Sequence, residues 1–197
     1  SNAGIFVGSL MNNAFAIVED CVVEGNTIVD CQHAIQCPIV YGPGLGDLGR
    51  GGFDRLVIAH NTIARAHVSG VDVFIASNGQ PLGLDRPFVG GILVHANTIT
   101  FAPPAEQGAH AYGIRVFNQT LDQTKPIFAG RTRVLNNTVR DIATGGTSGR
   151  CYVDGWQSLD WRGNYVTGLP AVYGPRESWG TGVFRSSDMT FDDNFIV

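Results

Sequence analysis

The chain is short of charge. Asp, Glu, Lys and Arg make up 15% of its 197 residues and leave a net charge of −4. No basic stripe interrupts that balance, so the footprint of a nucleic-acid binder is missing and no nucleic-acid partner is expected. No apolar run approaches the ~20 residues of a membrane-spanning helix, and no membrane partner is expected. No secretory leader is seen, which would also hold for a secreted parent that had lost it. Ser1, Asn2 and Ala3 read as the remnant of a cleaved tag and are set aside. Of the four cysteines, no two have zinc-finger spacing. They read as small buried thiols.

Glycine is plentiful, at 26 residues, and β-branched residues are common. That profile suits short strands joined by tight corners. An internal repeat sets the frame. Asn26, Asn61, Asn97, Asn137, Asn164 and Asn194 each have an apolar residue three before (Val23, Ile58, Val94, Val134, Trp161, Phe191). Each also has one two after (Ile28, Ile63, Ile99, Val139, Val166, Ile196). Five have one five before (Cys21, Leu56, Ile92, Leu159, Met189), with Thr132 the exception. At 44% apolar composition, twelve matches in twelve at the first two positions would arise by chance at about the 10⁻⁴ level.

The markers lie 35, 36, 40, 27 and 30 residues apart. Helical-pair repeats keep a nearly constant length, whereas a coil of short strands lets its loops grow without disturbing the stack. Each unit reads as a strand such as Leu56–Ala59, a corner at His60-Asn61, a second strand from Thr62 with Ile63 inward, and a third apolar strand. Third strands are expected at Ala34–Val40, Val71–Ile75, Gly113–Phe117, Cys151–Gly155, Ala171–Tyr173 and Gly182–Phe184, followed by long Gly/Pro-rich loops. Three parallel strands per turn, stacked about 4.8 Å apart, make an all-β solenoid of about six turns. Each asparagine amide can sit inside its corner and bond the asparagine of the next turn. Asparagine also tolerates the left-handed backbone angles of a tight corner. The six form a structural ladder in this reading.

The spacing predicts a single domain over residues 4–197. The chain starts within a strand at Ile5-Phe6-Val7, and no amphipathic helix covers the first turn. An uncovered end is a sticky strand edge. The expectation is a fragment of a longer solenoid, or a homo-oligomer that covers its ends or sides.

The pattern V-x-x-N-T-I, with long loops after the third strand, resembles the right-handed parallel β-helix superfamily, the pectin-lyase-like fold, from about Phe6 to Val197. The resemblance implies a bacterial, extracellular or cell-surface protein acting on or binding a polysaccharide. Its alternative members are phage-fibre and adhesion segments without catalysis. It also implies a substrate along the outer face of the third strand. There the repeat aligns Gln36, Asp72, Arg115 and Tyr152 outward, then Pro38, Phe74, Phe117 and Asp154. His67 and His110 occupy equivalent places at the adjoining corner, with His33 near that corner one turn earlier.

These groups suit carbohydrate chemistry. Hydrolysis uses two carboxylates, and elimination from a uronic acid uses a base and a cation. Asp72, Arg115, His67 and His110 are therefore the candidate catalytic residues of a polysaccharide lyase or glycoside hydrolase. Phe74, Phe117, Tyr152, Asp154 and Trp156 are the candidate substrate contacts, and Tyr173 and Trp179 offer further flat faces. The same residues also suit an ion pair and corner hydrogen bonds with no ligand, and catalysis stays open. Polygalacturonase-like motifs and Asp-Pro-His-Asp are absent; Asp192-Asp193 has no His-Gly or Arg-Ile-Lys after it. The Asp-rich calcium cluster of pectate lyases is absent too, so no cofactor is expected and calcium stays open without a motif. Gly44, Gly46 and Gly49 form a loose G-x-G-x-x-G, but the surroundings are all strand, which argues against dinucleotide binding.

Overall fold

The computed structural model describes residues 3–8, 17–41, 52–77, 88–107, 111–119, 128–142, 150–153, 156–167, 172–175 and 189–196. The chain enters on β1 (Ala3–Phe6). The first turn is β2 (Ile17–Glu19), β3 (Val22–Glu24), β4 (Thr27–Val29) and β5 (His33–Tyr41). The second is β6 (Gly52–Ala59), β7 (Thr62–Ala66) and β8 (Ser69–Ser77), and the third is β9 (Phe88–His95), β10 (Thr98–Phe101) and β11 (Tyr112–Gln119). The fourth is β12 (Phe128–Leu135), β13 (Thr138–Arg140) and β14 (Arg150–Val153). The fifth is β15 (Trp156–Arg162), β16 (Tyr165–Val166) and β17 (Val172–Pro175), followed by β18 (Met189–Asp192) and β19 (Phe195–Ile196). Each strand pairs in parallel with its counterpart one turn away, which gives three sheets. The coil is a right-handed parallel β-helix with three strands per turn. The expected strand at 182–184 lies outside the described residues.

The inward columns form the core. Val23, Ile58, Val94, Val134 and Trp161 stack from the first-strand sheet, and Ile28, Ile63, Ile99, Val139 and Val166 from the second; all are buried. Each such aliphatic side chain contributes about 1.5–3 kcal/mol. Thr132, the exception in the inward column five before each asparagine, is fully buried, and its hydroxyl has no hydrogen-bond partner among the described residues. All four cysteines are free thiols: Cys37 and Cys151 are buried, Cys21 and Cys31 half-buried. Burial pushes the Cys151 thiol up to about 12 and the Cys37 thiol higher still.

The asparagine column is a continuous amide ladder. Side-chain Nδ2 of Asn26, Asn61, Asn97, Asn137 and Asn164 donates to Oδ1 of the next asparagine at 2.9–3.1 Å. The backbone N–H of each donates to the same oxygen at 3.0–3.1 Å. From Asn61 onward the second Nδ2 hydrogen goes to a backbone carbonyl of the preceding turn, as from Asn97 to Ile58 at 2.9 Å. An inner amide thus accepts two bonds and donates two, its full capacity.

One expectation is corrected here. The left-handed residue is not the asparagine but the one before it: Gly25, His60, Ala96, Asn136, Gly163 and Asp193 have φ between 51° and 68°. The asparagine points its amide into the stack, and its predecessor takes the left-handed angle of the bend. The first strands also begin earlier than Leu56–Ala59 implied. A register shift between Phe53 and Leu56 accommodates Arg55 at φ 56°, and below it Asp20 at φ 49° separates β2 from β3. Such a bulge lengthens a strand without a signal in its alternation.

A column of small residues lies where the third strand begins. Ala34, Gly70 and Gly113 stand one above another. A Cβ on Gly70 would meet Ile99 Cγ2 at 2.6 Å and the Gly113 carbonyl oxygen at 2.7 Å. Only a minimal side chain lets the backbone turn this close to the core. Two residues beyond each glycine stand Asp72 and Arg115.

Candidate functional site

The third-strand sheet sets the predicted column in register. Gln36 pairs with Asp72, Asp72 with Arg115, and Arg115 with Tyr152; Pro38, Phe74 and Phe117 align two residues on. The side chains of Phe117, Tyr152 and Trp156 lie outside the described residues, as do His110, Asp154, Ala171 and Trp179 altogether. Trp156 opens β15, so its backbone belongs to the first-strand sheet and not to the expected face.

Asp72 is expected to point outward, as a candidate catalytic group or as half of a surface ion pair. It does point away from the core, yet its side chain is 0% exposed and that of Arg115 only 17%. Arg115 Nε donates to Asp72 Oδ1 at 2.6 Å and Nη2 to Oδ2 at 2.7 Å. This two-pronged bond fixes the guanidinium plane. The guanidinium carbon lies 3.9 Å from the Tyr112 ring centre and 5.5 Å from that of Phe74. Arg115 is therefore a cation held in place, with aromatic faces beside it. Each Asp72 oxygen accepts from Arg115 and the carboxylate is fully buried, so it anchors the guanidinium and does not stand open to abstract a proton.

His33 joins this group, a contact that residue spacing left vague. It pairs with Ser69 across the sheet, and its Nδ1 lies 2.8 Å from Ser69 Oγ. Ser69 is fully buried. A Ser hydroxyl can donate to Nδ1 or accept from it, so the tautomer of the ring sets the direction of this bond. Burial holds the His33 pKa below its ordinary value; the Asp72 charge opposes that shift and the Arg115 charge adds to it. The available signal was the alignment of His33 with Ser69, three residues before Gln36 and Asp72.

His67 faces elsewhere. Its ring was expected beside Asp72 and Arg115, but Nε2 lies 2.8 Å from Asp30 Oδ1 and Nδ1 lies 3.0 Å from the Glu106 carbonyl oxygen. The corner after β7 turns this side chain along the stack, towards the neighbouring corners and away from the sheet face.

A second buried carboxylate lies on the first-strand sheet. Asp160 accepts from Arg162 through Nε and Nη2, and from Arg131 Nη2 at 3.1 Å. Here the arginines are largely exposed and no aromatic ring flanks them among the described contacts. Tyr165 and Phe195 stack on the second-strand sheet with ring centres 5.2 Å apart and planes 8° from parallel. Among the described residues no group of three or more His, Cys, Asp or Glu is placed to hold a metal ion. Comparison with protein-family models, curated proteins and solved structures returned no match to the chain.

Proposed function

We propose that the chain is a polysaccharide-binding or polysaccharide-processing module of the pectin-lyase-like kind, with the saccharide along the outer face of the sheet formed by β5, β8, β11 and β14. The observation that carries this reading is Arg115, gripped by buried Asp72 and flanked by Tyr112 and Phe74. A fixed guanidinium beside aromatic rings suits a uronic-acid unit: the carboxylate meets the cation and the apolar sugar face meets a ring. Two-carboxylate hydrolysis fits less well, because Asp72 is fully buried behind its arginine. Elimination fits better, with Arg115 stabilising the charge that develops beside the uronate carboxyl. In this reading Asp72 positions Arg115, and the module works outside the cell or at its surface, where such polymers occur.

A structural or adhesive role is the second reading. Val22 and Val29, 59% and 56% exposed, and the Tyr165–Phe195 stack favour it, because they place apolar side chains on the other two sheets where a partner would cover them.

The test is a panel of uronic-acid polymers, followed for binding by calorimetry, for unsaturated product in the ultraviolet and for new reducing ends. Wild-type protein should bind or cleave at least one polymer. Arg115→Ala should weaken that response about tenfold or more, the scale of one lost charge-assisted hydrogen bond. Arg131→Ala, on the other sheet, should leave it unchanged. No response from any polymer, with a defined oligomer in light scattering, would move the assignment to the second reading.

A further inference from the structure

The corner between the second and third strands carries a brace that the saccharide reading does not use. Asp30 follows β4, His67 follows β7, the one-turn 3-10 helix Pro104–Glu106 follows β10, and Asp141 follows β13. His67 sits between the first and the third of these. Its Nε2 is 2.8 Å from Asp30 Oδ1 and its Nδ1 is 3.0 Å from the backbone carbonyl oxygen of Glu106. Both partners are acceptors. A neutral imidazole has one N–H and one lone pair, so it satisfies one contact and sets a lone pair against the other. The imidazolium donates to both.

We propose that His67 is a pH-operated clasp: protonated, it ties the Pro104–Glu106 turn to Asp30 across two turns of the coil, and on losing its proton it releases one end.

The charged groups facing the ring set the direction. Asp30 comes from the corner after β4, Arg65 from the end of β7, and Glu106 from the short helix. Arg65 Nη2 donates to Glu106 Oε2 at 2.7 Å, and its Nε lies 3.4 Å from Asp30 Oδ1. On the side of Asp141, contact is made by the backbone: Gln107 Nε2 donates to its carbonyl oxygen at 2.7 Å. Two carboxylates, one guanidinium and one imidazolium balance, and deprotonation leaves the group negative. The hydrogen bond to Asp30, then that to the Glu106 carbonyl, hold the His67 pKa above its ordinary value, against a small opposing effect of burial. A raised folded-state pKa means that the contribution is complete below the unfolded value of about 6.5 and is lost as pH rises through the folded value. The bonds of Arg65 and Gln107 persist through that change, so the turn loosens without detaching.

Two titrations of the intact chain test the clasp, with readouts independent of any polysaccharide. Imidazole nitrogen NMR should find the His67 ring titrating above its ordinary value, with both nitrogens protonated on the acid side. Amide exchange at Glu106 and Gln107, corrected for the intrinsic effect of pH, should lose protection several-fold over the same range while the β6–β9 ladder stays unchanged. His67→Gln should show the loosened turn at every pH. Asp30→Asn should lower the ring's titration and move the exchange midpoint with it, a check that stands even where His67→Gln fails to fold. A ring that titrates at or below its ordinary value overturns the clasp, as does wild-type exchange at these two amides that ignores the titration.

Discussion

The two corners of each turn follow different rules. At the first, one residue type recurs six times, and its inner members Asn61, Asn97, Asn137 and Asn164 are at most 2% exposed. Each amide completes its neighbour's bonding, so a change at one rung leaves buried groups on two others without partners. At the second corner the side chains differ from turn to turn, Asp30, then Arg65, then Phe101, then Asp141, and a short helix is inserted after Phe101. The ties there reach water, with Asp30 60% exposed and Arg65 and Glu106 each 46% exposed. A group that water can satisfy need not be matched by its neighbour, so this corner accepts insertions and charge. The contrast says where a β-helix can vary: wherever the bonds between turns are not buried.

The sharpest way to break that contrast is Asn97→Ala. The substitution strips the buried acceptor from the N–H and Nδ2 of Asn61 and the donor from the Ile58 carbonyl and Asn137. Each orphaned buried group costs about 1–3 kcal/mol, so a loss of about 4 kcal/mol is expected in urea unfolding. Asn194→Ala, at a partly exposed rung, should lose less than half as much. Equal losses at the two positions would mean that burial does not set the strength of the ladder.

How much of this is legible in the sequence follows from the same contrast. The inward columns and the six asparagines stand out in the sequence because each turn repeats one answer to one environment. The alignment of Gln36, Asp72, Arg115 and Tyr152 followed by counting from those columns. Burial of Asp72 did not follow, because alternation tells which way a side chain points and not what lies over it. Nor did the partners of His67, which come from corners 37 and 39 residues away. The left-handed position is partly visible: Gly25, His60, Asn136, Gly163 and Asp193 are residue types that favour it, while Ala96 hides the rule. Trp156 was misjudged because a bulged strand starts before its repeat does.

Ala96 supplies a smaller test of the first corner. At φ 51° an alanine carries strain of about 1–2 kcal/mol that glycine does not. Ala96→Gly should therefore stabilise the fold by about 0.5–1 kcal/mol after the added entropy of the unfolded glycine is subtracted. The reverse change at Gly25 should cost about 1 kcal/mol through the backbone alone, since a Cβ there meets nothing within 4 Å. At Gly163 it should cost more, because the new Cβ would lie 2.2 Å from Asn136 Oδ1. Equal costs at the two glycines would show that the loops yield to the clash and that the backbone angle alone sets the corner.

The smallest effect is expected at the second corner, from Glu106→Gln. The change weakens the Arg65 contact and keeps the backbone carbonyl that His67 uses. The Glu106 side chain is 46% exposed, so water replaces much of what is lost. Exposed pairs of this kind are worth about 0–1 kcal/mol, and salt screens them. Urea unfolding should shift by no more than about 0.5 kcal/mol at low salt, and high salt should remove the difference. A loss as large as that of Asn97→Ala, unmoved by salt, would mean that the second corner is held as rigidly as the first. Its tolerance of insertions would then need another physical cause.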